Sequence, residues 1–149
     1  IAVKSGTPMP AVATAAGLRA ALKAADGIYL PDPRLATAGI HFAKVIDALA
    51  IRQEVQGRLR PYPNGATAMR AMAGARHGRL IGCTQATEIL ATPGVVLAAD
   101  LPAEFELATV YTAAIAARAT LPHHARRLAA MLASVEAAGV RREAGFDAQ

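Results

Sequence analysis

The chain has 149 residues, enough for one domain with a substantial core, and its hydrophobic share of 54% sets it apart from disordered chains. Aromatic residues make up only 4% and tryptophan is absent, so the core must be built from Ala, Val, Leu and Ile, which suits helices laid on a sheet. The formal charge of +5 is carried mostly by scattered arginines, whose only tight pairs are Arg126-Arg127 and Arg141-Arg142. No aromatic residue lies within those pairs to stack on a base, so the charge is read as solvated helix faces and not as a nucleic-acid stripe.

In chain order, residues 1–5 form a short strand ended by Gly6 and the Pro8/Pro10 pair. Residues 11–25 carry Val12, Leu18 and Leu22 at helical spacing and close at Asp26-Gly27. A buried strand over 27–30 stops at Pro31-Asp32-Pro33. Thr37 starts a second helix with an apolar face of Phe42, Val45, Ile46 and Leu49. A short helical piece and a loop containing Pro61 and Pro63 are expected over 51–63. Asn64 then caps a helix bearing Met69 and Met72. Residues 79–83 are the next strand, and Thr84 caps a short helix through Leu90. Pro93-Gly94 turns into a strand over 95–98. Residues 105–117 are rich in β-branched side chains and read as a strand. Leu121-Pro122 introduces a helix to about 133, and a last helix covers roughly 134–144. This alternation predicts an α/β fold with a mainly parallel sheet flanked by helices.

The chemistry-bearing motifs are few. The one cysteine, Cys83, has no partner for an internal disulfide. His41, His77, His123, His124 and Cys83 match no zinc spacing, so no metal or cofactor is expected. There is no GxSxG, P-loop or HExxH, and an enzyme is not expected. No apolar run is long enough to cross a bilayer.

Ligands of open α/β sheets bind beyond the carboxyl ends of strands, at the helix starts that follow. Three joints here combine a small residue, a hydroxyl or amide, and free backbone N–H groups: Thr37-Ala38-Gly39, Asn64-Gly65-Ala66-Thr67 and Gly82-Cys83-Thr84-Gln85. Helix starts of this kind attract anions, because unpaired N–H groups converge there and the helix dipole adds positive potential. Thr37, Asn64 and Thr84 equally suit the plain role of helix caps. The three glycines equally suit turns or close packing.

The run Asp32-Pro33-Arg34-Leu35-Ala36-Thr37-Ala38-Gly39-Ile40-His41-Phe42-Ala43-Lys44 resembles a segment of the molybdate-binding periplasmic proteins. The likeness continues in order through Gly82-Cys83-Thr84-Gln85, Leu101-Pro102-Ala103-Glu104, Val110-Tyr111-Thr112-Ala113-Ala114 and Gly145-Phe146. It implies a type II periplasmic binding protein, in which two α/β lobes close on a ligand. On that analogy 1–5 is a crossing strand, 6–104 is the second lobe, and 105–149 is a return strand with closing helices of the first lobe. Most of that first lobe, and a signal peptide, are expected upstream of residue 1. The resemblance further implies a periplasmic component of an ABC importer, with the membrane subunits as partners and a small anion such as molybdate or tungstate as ligand. It places Ala38, Thr84 and Tyr111 at the ligand, with Gly39, Thr37, Gln85 and Cys83 beside them. Thr37, where the molybdate binders often carry a proline, and the polar Gln85 keep a small organic acid open as ligand. An effector-sensing module of the same fold is the other alternative. A chain lacking most of one lobe exposes strand edges, so self-association is also expected.

Overall fold

Short apolar segments bounded by turn residues become strands here because both faces of the sheet are covered. The computed structural model describes residues 1–76 and 78–146. In chain order its first part contains β1 (Ala2–Lys4), α1 (Ala15–Ala24), β2 (Gly27–Pro31), α2 (Thr37–Ala48) and α3 (Arg52–Val55). A 3-10 turn at Gln56–Arg58 leads to β3 (Leu59–Tyr62), α4 (Gly65–Gly74), β4 (Leu80–Gly82), α5 (Ala86–Leu90) and β5 (Val95–Leu97). A second 3-10 turn, Ala103–Phe105, ends this part. The chain divides into two units, Ile1–Leu107 and Ala108–Gln149.

The strands form one sheet in the order β3-β2-β4-β1-β5. β2 pairs in parallel with β3 and β4, while β1 pairs antiparallel with β4 and β5. Four strands therefore run one way and only β1 is reversed, which gives a mixed sheet and confirms the α/β class. Side chains alternate between its two faces, as pleating requires. Ile28, Leu30 and Ile81 join Leu18, Leu22, Phe42, Ile46, Ile51 and Val55 in one buried cluster under α1, α2 and α3. Leu80 turns to the other face, where Ala68, Met69, Met72, Ile89 and Val95 form the second cluster under α4 and α5. Burying a Leu, Ile, Phe or Met side chain contributes about 1.5–3 kcal/mol each, so these two layers hold the unit together.

β3 differs from the expected loop. Pro61 has no N–H to give a ladder, but β3 is an edge strand paired only with β2, so the missing donor faces no partner on the open side. Two arginines bind backbone carbonyls of the helices. Arg58 donates to the carbonyls of Lys23 (2.7 Å), Ala25 (2.8 Å) and Glu54 (2.7 Å), and Arg52 donates to that of Ala43 at 2.9 Å. The Lys23 and Ala25 carbonyls lie at the C-terminal end of α1, where the helix dipole favours a cation.

The second unit holds α6 (Pro122–Ala133) and α7 (Ala138–Glu143). Pro122 sits at the start of α6, where its missing N–H is harmless. Ser134 ends α6, and its hydroxyl oxygen accepts from the Ala137 N–H at 3.3 Å, so α7 begins later than residue 134. The strand expected over 105–117 is absent: Phe105 closes a 3-10 turn, and 106–116 holds neither helix nor strand. β-branched composition favours extended backbone, but a strand exists only where a second strand accepts its hydrogen bonds. No strand among the described residues pairs with this segment.

Candidate functional site

β3, β2 and β4 lie side by side and run in the same direction, so their carboxyl ends open on one edge of the sheet. All three joints singled out in the sequence start from that edge. Each is built differently.

At the end of β2 the side chain of Asp32 folds the chain back. Its Oδ1 accepts the N–H of Arg34 at 2.7 Å and of Leu35 at 3.1 Å, and its carbonyl accepts the N–H of Ala36 at 3.1 Å. α2 then starts directly above the strand end. A Cβ on Gly39 would fall 2.3 Å from the Asp32 carbonyl oxygen and 2.4 Å from that of Pro31, so only glycine permits this approach. The helix starts from Ala36, and no side chain caps it. Thr37 is therefore the first helical residue and not the cap. Thr37 is exposed, Ala38 half-buried and Gly39 buried. The first amides of α2 are thus left for water or a ligand, at the positive end of a 12-residue helix.

At the end of β3 the helix start is already filled. Asn64 caps α4 by accepting the Thr67 N–H at 2.9 Å, as its position in the sequence foretells. Glu88 reaches across from α5, and its Oε1 accepts the Ala66 N–H at 3.1 Å. The carboxylate occupies the place an anion would take at this helix start. Glu88 was not singled out in the sequence, because it lies far along the chain from Ala66.

At the end of β4, Cys83 donates its N–H to the Tyr29 carbonyl at 2.9 Å, extending the β2–β4 pairing. Its side chain belongs to the buried cluster under α1 and α2, and burial raises the thiol to about 11. Thr84 is half-buried and does not cap α5; the capping position falls to Gln85, which makes no side-chain capping bond. The Thr84 hydroxyl instead donates to Glu88 Oε2. Gly65 lies against this pair: a Cβ there would come within 2.0 Å of Glu88 Oε2.

The structure brings Thr37, Ala38, Gly39, Cys83, Thr84 and Gln85 to the ends of two adjacent parallel strands. Tyr111 belongs to the second unit, where it is 56% exposed and its ring meets Phe146 edge-on at 5.4 Å. Of the residues weighed as metal ligands, the His41 ring contacts the Phe105 carbonyl at 2.7 Å and His123 packs on His124. His77 lies outside the described residues. Among the described residues no three of His, Cys, Asp or Glu cluster as a metal site would need, and no helix is long and apolar enough to cross a membrane.

No curated protein and no solved structure matches the chain. Residues 1–147 match the family model described as bacterial extracellular solute-binding protein. A match over nearly the whole sequence, on a mixed α/β sheet whose strand ends carry an uncapped helix start, means that the chain belongs to the bacterial extracellular solute-binding proteins.

Proposed function

We propose that the chain captures a small oxyanion between two lobes in the periplasm and delivers it to the membrane subunits of an ABC importer, without catalysing a reaction. Molybdate and tungstate are the ligands to which the sequence resemblance points. The observation that carries this reading is the start of α2. It lacks a side-chain cap, and Gly39 holds it tight against the end of β2. Backbone N–H groups at such a start bind an anion without a lysine or arginine. Ala38 is the residue whose amide faces the ligand in this reading, with Thr84 at the neighbouring strand end; Tyr111 is the further contact that the sequence resemblance names. A ligand that binds the closed arrangement better than the open one draws the two lobes together by that difference in affinity.

Isothermal titration and thermal melting of the full-length protein with molybdate, tungstate, sulfate, phosphate and small carboxylates test the proposal. An anion at 100 times its dissociation constant stabilises the folded state by about 2.7 kcal/mol, which a melt resolves. The absence of heat and of any melting shift with every anion refutes it.

A further inference from the structure

The helix that carries the proposed anion site also holds the end of the first unit. His41 lies one turn beyond Thr37 on α2, and residues four apart share a helix face. Its ring is half-buried, and Nε2 meets the Phe105 carbonyl at 2.7 Å, across 64 positions of the chain. A carbonyl oxygen only accepts, so Nε2 carries the hydrogen and donates it. The first unit ends shortly after Phe105, at Leu107.

The turn that closes at Phe105 is also packed in place. Phe105 and Leu101 lie against the buried cluster that includes Phe42, Val45 and Ile46 of α2. The turn's own backbone bonds are internal: the Phe105 N–H donates to the Pro102 carbonyl at 2.7 Å, and the Glu106 N–H to that of Ala103 at 3.4 Å. Apolar packing is non-directional and does not by itself fix the turn's register on α2. The His41 bond supplies that direction.

We propose that His41 is a positioning residue for ligand capture: it fixes the point at which the chain leaves the first unit relative to the start of α2, so that the connection to the second unit sets off from a constant place beside the anion site. Capture between two lobes requires that connection to be ordered. A connection ordered before binding lowers the cost that the ligand must offset. This inference rests on the capture reading above and deepens it, since His41 acts on affinity through the Phe105 carbonyl and not by touching the ligand.

Two variants of the full-length protein make the test. His41→Leu keeps apolar bulk and removes the donor, and His41→Gln restores an N–H donor at similar reach. Losing one hydrogen bond of ordinary strength changes an equilibrium about threefold to tenfold. Without ligand, amide exchange at Phe105 and Glu106 should quicken by that factor in His41→Leu. The Ala68 amide, which donates to the Asn64 carbonyl at 3.1 Å in the other layer, should exchange as before. Titration with molybdate, tungstate, sulfate and phosphate should show the anion that binds weakened about threefold to tenfold, and His41→Gln should restore both exchange and affinity. Exchange unchanged at Phe105 and Glu106, or quickened equally at Ala68, overturns the tie. Quickened exchange with unaltered affinity overturns the positioning role and leaves capture standing. If none of the four anions binds the wild type, the capture reading falls and the positioning role with it, while exchange in the ligand-free protein still reports the tie by itself.

Discussion

Gly39 is the position where a single methyl group tests the site's construction. An alanine in a helix is favoured over glycine by about 0.5–1 kcal/mol, so propensity alone predicts that Gly39→Ala stabilises the protein. The structure predicts the opposite. The new Cβ would lie 2.3 Å and 2.4 Å from two backbone carbonyl oxygens, and neither can swing away as a side chain would. The first turn of α2 must back off the end of β2, and it pulls on Phe42, Val45 and Ile46, which are buried within the next two turns. Overpacking of this kind costs about 1–3 kcal/mol or more, and lost contacts of the displaced helix add to it. The net expectation is a loss of about 2 kcal/mol, or a fall in melting temperature of about 4–8 °C for a chain of this size. Gly74→Ala is the control. Gly74 is exposed at the end of α4 with nothing within 4 Å of the added atom, so the propensity term acts alone. It should raise stability by about 0.5 kcal/mol. Circular-dichroism melts of the two variants should therefore move in opposite directions. A Gly39→Ala protein melting at or above the wild type would refute the close approach of α2 to β2, and with it the geometry of the proposed anion site.

Two further outcomes follow from local environments. Cys83 is buried and its thiol is raised to about 11, so it should resist a thiol reagent at pH 8 in the folded protein and react fully in guanidinium; rapid stoichiometric labelling without loss of structure would contradict that burial. Ala50 adopts a φ of 54° just past α2, where the Ile51 N–H reaches back to the Ile46 carbonyl at 3.3 Å. Glycine suits this left-handed position better, so Ala50→Gly should raise stability by about 1 kcal/mol in a urea titration, and a loss would show that the position is not strained.

Much of the first unit was legible in the sequence because its signals are local. The Leu18/Leu22 and Phe42/Val45/Ile46 spacings place α1 and α2, Asn64 caps α4 where its side chain predicts, and Pro93-Gly94 turns into β5. The strand-to-helix joints were legible for the same reason, and with them Ala38, Gly39, Thr84 and Gln85 as residues at the ends of strands. What the sequence left open depends on partners distant along the chain. Pro61 argues for a loop until β3 is seen to be an edge strand. The β-branched run over 105–117 argues for a strand, yet its backbone finds no ladder, because extended propensity is satisfied only by a neighbouring strand. Thr37 and Thr84 have good capping side chains, but α2 starts from Ala36 and α5 from Gln85. The occupancy of the α4 start by Glu88 follows no sequence period. The sequence by itself determined where helices and strands alternate, since periodicity and turn chemistry act over a few residues. Only the tertiary structure decided that β3, β2 and β4 lie side by side and that Glu88 fills one helix start, because these depend on contacts between residues far apart in the chain.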